Sequence, residues 1–226
     1  DGAEAHANAP GAEAHANAPG AIARAHEEWA IAYSDAPGAK AHGHEKWAIA
    51  HANAPEAEAH ANVKDAIAHA NAKGAEAYAT APEAEARATV PEAKAYADVK
   101  GAIARATAPG AEAHANADGA KAYADVPGAK AYTYKPGAIA YAKKQGAEAH
   151  ANVDGAEAYA TVKGAKAYAE LPGAKAYAKV RGSEAHANES QTIAYANVPE
   201  AEAHANEHLA IACAIARGAF AYANAR

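Results

Sequence analysis

Gly2-Ala3-Glu4-Ala5-His6-Ala7-Asn8-Ala9-Pro10 is followed at once by the same nine residues, Gly11 to Pro19. From Gly2 to Arg226 the chain divides into twenty-five consecutive nonapeptides with no insertion or deletion. All 11 prolines fall at position nine of the unit, and sixteen of the 17 glycines fall at position one. A period this strict marks a repeat architecture.

Alanine is the strongest helix former, so a helix is the first reading to test. Pro-Gly pairs such as Pro10-Gly11, Pro127-Gly128 and Pro172-Gly173 leave only seven residues between breaks, and isolated helices that short are marginal in water. The side-chain pattern also has period two rather than 3.6. Ala holds positions two, four and six, and its few replacements there are small: Ser34, Gly43, Thr133, Ser183 and Thr192. One strand face is therefore all methyl, and the other carries everything that varies. Pro followed by Gly suits the two central positions of a type II turn, where Gly supplies positive φ. Where position nine is Lys, Asp, Arg or Gln, or position one is Glu as in Pro91-Glu92, other turn types are open.

The exceptions set the coil length. Acidic residues at position eight (Glu27, Glu45, Glu189, Glu207) all lie in odd-numbered units, and the bulky residues Trp29, Trp47 and Leu209 open even ones. Ile occupies position three in seven of twelve even units but in only one odd unit. Odd and even units thus occupy different surroundings, which two units per coil explain and three do not. The expectation is an all-β, single-domain parallel β-solenoid over 1–226. It has two sheets, eighteen residues per coil, an Ala-lined core and a right-handed wind.

With more than a third of its residues Ala, no Met, one Phe and two Trp, the chain cannot build a core of large side chains. Two methyl faces should instead pack closer than the usual sheet spacing of about 10 Å. Val at position eight, as in Val63 and Val153, would fill the wider space near a corner. Leu in place of a mid-strand Ala such as Ala122 should wedge the sheets apart. Tyr159, Tyr177 and Tyr195 are expected to stack in one column, and Asn188, Asn206 and Asn224 in another.

The net charge of −6, with acids and bases interspersed, argues against a nucleic-acid surface. No apolar run reaches the length of a membrane span, and no secretory signal pattern opens the sequence. Most of the 13 histidines lie at position five, including His42 and His60. A flat ladder holds side chains parallel, whereas a zinc site needs three or four that converge. No metal, cofactor or catalytic residue is therefore expected, nor an enzyme. The lone Cys213 points outward and excludes an internal disulfide.

Two local features stand out. His26-Glu27-Glu28-Trp29 and His44-Glu45-Lys46-Trp47 lie one coil apart, so the indoles should stack at one corner. They form either a small aromatic binding patch (His26, Glu27, Trp29, His44, Glu45, Trp47) or a modified corner that shields an edge, the plainer reading. Ile31, Ile49 and Ile67 form an exposed apolar stripe on the even sheet, a candidate for self-association. Uncapped ends are a second route to assembly.

The nonapeptide and its eighteen-residue coil resemble the calcium-binding RTX β-rolls, which repeat G-G-x-G-x-D-x-U-x with two units per turn. Ala stands where those carry their regular Gly and Asp, so the resemblance implies the fold without the calcium. Ice-binding solenoids are also similar, but Thr80, Thr89, Thr107 and Thr161 are scattered and make no regular array. The near-perfect register and idealised interior resemble a de novo designed β-solenoid. The resulting expectation is a structural scaffold, with a binding or assembly module as the alternative.

Overall fold

A computed structural model describes residues 3–223. Their regular secondary structure is twenty-five β-strands of four residues each, running from β1 (Glu4–Ala7) and β2 (Glu13–Ala16) to β24 (Ile211–Ala214) and β25 (Phe220–Ala223). Each strand takes positions three to six of its nonapeptide. The chain forms two compact units, Asp1–His114 and Ala115–Arg226.

Within each unit, odd strands pair with odd and even with even, always in parallel. In the first unit Glu4 lies opposite Ile22 and Glu13 opposite Ile31; in the second Lys121 lies opposite Ile139 and Lys130 opposite Glu148. Every one of these offsets is eighteen residues, so each unit is a two-sheet parallel solenoid with two nonapeptides per coil. The backbone ladder extends past the strands: His26 N–H donates to Ala7 O at 3.0 Å, and Ile22 N–H to Ala3 O at 3.0 Å.

The interior is methyl. Alanines 77, 86, 95, 149, 158 and 167 are among those with no exposed surface. Strands adjacent in sequence belong to opposite sheets, and their Cα atoms approach within 8 Å. That is closer than the face-to-face spacing of about 10 Å between ordinary sheets. Four hydroxyls share this interior, and each is bonded to backbone, as buried polar groups must be. Ser34 Oγ donates to His51 O at 3.1 Å, Thr133 Oγ1 to His150 O at 3.2 Å and Ser183 Oγ to Val180 O at 2.6 Å; Thr192 Oγ1 reaches Glu189 O. The valines at position eight, Val63 and Val153 among them, are half-buried beside the corners.

One turn serves the corners. At Ala9-Pro10-Gly11-Ala12 the Ala12 N–H donates to Ala9 O at 3.0 Å, and Gly11 has φ 72°. The expectation of other turn types at the remaining corners is corrected here. Nine non-glycine residues at position one, including Trp29, Glu56, Glu92 and Leu209, hold φ between 57° and 64°. Left-handed backbone costs an L-residue roughly 1–2 kcal/mol. The inter-coil ladder prevails because the chain must reverse in the same place at every lap. Glu56 is exposed, and Ala57 N–H still donates to Ala54 O at 3.1 Å across its turn. Glu56→Gly should therefore stabilise the fold by about 1 kcal/mol, while Glu56→Ala should not. Paired urea melts followed by circular dichroism would distinguish the two.

Candidate functional site

The two corner tetrapeptides come together in the first unit. Glu27-Glu28-Trp29-Ala30 and Glu45-Lys46-Trp47-Ala48 form the same turn, closed by Ala30 N–H to Glu27 O at 3.1 Å and Ala48 N–H to Glu45 O at 3.0 Å. Their indoles stack as expected, with ring centroids 5.5 Å apart and planes inclined by 7°. Trp29 is 59% exposed and Trp47 41%. Lys46 Nζ lies 5.2 Å from the Trp47 centroid and 3.8 Å from Asp65 Oδ2, at the next coil's corner. Glu27 and Glu45 are exposed.

His26 and His44 stack on each other at 5.2 Å, and the contact runs on through other imidazoles. His6 Nδ1 and His26 Nε2 are 3.0 Å apart and share a proton in a hydrogen bond. His44 stacks on His42 at 5.6 Å, and His42 on His60 at 4.7 Å. Burial is the chief force on the inner rings. It pushes His42 down to about 4, helped by the positive charge of His60, His44, Arg24 and Lys40, and it also lowers His44 and His60. His42 is therefore neutral at pH 7.

The sequence reading missed a second kind of contact. A carboxylate at position three accepts from the ring at position five of its own strand: His60 Nε2 donates to Glu58 Oε2 at 3.0 Å, and His186 Nε2 to Glu184 Oε2 at 3.1 Å. Tyr78 and Tyr159 hydroxyls donate to Glu76 and Glu157 in the same way. Two residues apart in a strand means the same face, so the signal was present in the repeated Glu-Ala-His and Glu-Ala-Tyr triplets. Neighbouring coils add ion pairs such as Lys40 Nζ to Glu58 Oε2 at 3.0 Å and Lys166 Nζ to Glu184 Oε2 at 2.9 Å.

The remaining expected columns form on the strands. In the second unit Tyr123, Tyr141, Tyr159, Tyr177 and Tyr195 stack at 4.8–5.2 Å. Lys143 Nζ sits 3.8 Å over Tyr123, and Lys179 Nζ 4.0 Å over Tyr159. Cys213 is the register partner of Tyr195 and is a free thiol. Asn206 Nδ2 donates to Asn188 Oδ1 at 2.8 Å; Asn224 lies outside the described residues. Ile31, Ile49 and Ile67 are register neighbours, but they are half-buried rather than exposed, because adjacent columns and coils cover their flanks.

Among the described residues no group of three or more His, Cys, Asp and Glu side chains is arranged to hold a metal ion. A hollow of about 340 Å³ lies between β1 and β2, lined mostly by alanines together with Glu4, His15 and Asn17. No helix is long and apolar enough to cross a membrane. The chain matches no family model, no curated protein and no solved structure.

Proposed function

We propose that this chain is a structural repeat scaffold that carries flat side-chain ladders and catalyses no reaction. The observation that carries the reading is the uniform eighteen-residue register of both units. His, Tyr and Arg substitute for one another at position five, as in Tyr78 beside His60 and Arg87 beside His69, without disturbing the strands beneath. The same regularity, with one turn at the corners and methyls throughout the interior, supports reading the sequence as an idealised, designed solenoid. Its likeness to the RTX rolls then extends to the period but not to calcium.

In a quasi-one-dimensional fold each coil contacts only its neighbours. Deletion of one whole coil, residues 146–163, should therefore leave a folded protein with an unchanged β-type circular dichroism signal per residue. Loss of the fold would overturn the scaffold reading. So would turnover of an ester, phosphate, glycoside or peptide substrate that disappears on substitution of a particular side chain.

Self-association is a second reading. It is favoured by the exposure of Leu209 (60%), Ile211 (49%), Ile215 (66%) and Phe220 (48%) in the second unit. Light scattering over a range of protein concentrations addresses it directly, and a constant monomer mass would exclude it.

A further inference from the structure

Trp29 has one face against Trp47, and its other face looks along the corner column toward Gly11, the equivalent residue one coil earlier. A side chain begun at Gly11 would meet nothing within 4 Å. The two turns are nonetheless coupled, since Gly11 N–H donates to Glu28 O at 3.4 Å. An indole face is thus presented to solvent in line with an existing ring stack, with room for one more flat ring.

The surrounding charge is negative. Glu27 and Glu28 precede Trp29 and Glu45 lies two residues before Trp47 in the two turns; all three are exposed and engage in none of the ion pairs seen among the described residues. Lys46 is the nearby cation, and it faces Asp65. An indole face attracts cations through its quadrupole and planar rings through offset stacking. Both tryptophans also hold left-handed backbone, at φ 64° each. The other non-glycine corners share this conformation, so it fixes where the indoles project without marking them as a site.

We propose that the open face of Trp29 binds a flat aromatic cation of the N-alkylpyridinium class. The electron-poor ring continues the Trp47–Trp29 stack over Gly11, and Glu27 and Glu28 supply the countercharge. Carboxylates select the cation over a neutral ring of the same shape, and added salt weakens the complex.

The chain's two tryptophans are both at this corner, so emission excited on the red edge of the absorption band, beyond tyrosine, reads the site alone. Titration with 1-methylnicotinamide should give saturable quenching of the steady-state emission, at least twofold beyond the fall in excited-state lifetime. That excess is the signature of a ground-state complex. Neutral nicotinamide should quench emission and lifetime in proportion. Trp29→Ala should abolish the excess. The double change Glu27→Gln, Glu28→Gln should weaken binding several-fold with the emission spectrum of the free protein retained. Gly11→Leu places over the ring a side chain that the fold already accepts in this conformation at Leu209, and it should block the complex. Proportional loss of emission and lifetime with 1-methylnicotinamide would overturn the proposal. Equal binding of neutral nicotinamide, or undiminished binding by Gly11→Leu, would overturn it as well.

Discussion

Ala158→Leu should destabilise the second unit by about 3 kcal/mol, at the upper end of the usual cost of overpacking. Ala158 has no exposed surface. Its register neighbours are Ala140 and Ala176. The strands that face β18 (Glu157–Ala160) are β17 (Glu148–Ala151) and β19 (Lys166–Ala169), with Cα atoms within 8 Å. A core of long side chains absorbs extra carbons by changing rotamers. A methyl has no rotamer to change, so only the backbone can yield. Parting the sheets at one coil then strains the hydrogen bonds to the coils on both sides. Ala158→Asp should be worse, because a carboxylate among methyls has neither water nor a partner; at pH 7 the protein should lose its cooperative melt. Lys144→Gln alters an exposed corner residue, and its effect should stay within about 0.5 kcal/mol. Urea denaturation followed by circular dichroism compares the three. An unshifted midpoint for Ala158→Leu would refute the close-packed methyl interior.

The features most legible in the sequence were those set by exclusion. Pro and Gly forbid a continuous helix, small residues at alternate positions define the inward face, and the even-unit placement of Trp29, Trp47 and Leu209 counts the strands per coil. The corner conformation of Glu56, Glu83 and Glu92 was not legible. Local preference argues against left-handed Glu, and only the register shared with neighbouring coils overrides it. The diagonal contact of His6 with His26 was also hidden. Strict register places His6 opposite Arg24, yet the ring leans along the strand and meets the imidazole twenty residues on. The half-burial of Ile31, Ile49 and Ile67 has a similar origin: in a flat ladder each outward side chain is walled by its own equivalents above and below. The Trp corner was recognisable as a pair, but the openness over Gly11 required the stack's direction to be seen.

Acidification should weaken the fold well before the carboxylates protonate. Burial lowers His42 and His69 to about 4 and lowers His51, His60 and His186 as well. Around His42 stand His60, His44, Arg24 and Lys40, all of which oppose a further positive charge; around His69, His51 and Arg87 oppose it and Glu85 favours it. In the unfolded chain histidine binds its proton near 6.5. Between about pH 6.5 and 4 the unfolded state therefore holds more protons than the folded one, and stability falls as the pH falls. A full shift from 6.5 to 4 corresponds to about 3 kcal/mol. These rings retain some contact with water, so about 1–2 kcal/mol each is expected. Glu58 and Glu184 are held below the usual carboxylate range despite burial by their Lys and His partners, so they add to the loss at still lower pH. His15 acts in the opposite sense, raised chiefly by its bond to Asp35. Tyr occupies position five in many coils and stacks equally well, as Tyr78 does on His60 at 4.8 Å. The pair His42→Tyr, His69→Tyr should therefore leave the urea midpoint at pH 8 nearly unchanged and raise it at pH 5. Parallel curves for the two proteins across that range would mean that the buried imidazoles do not govern the acid limb.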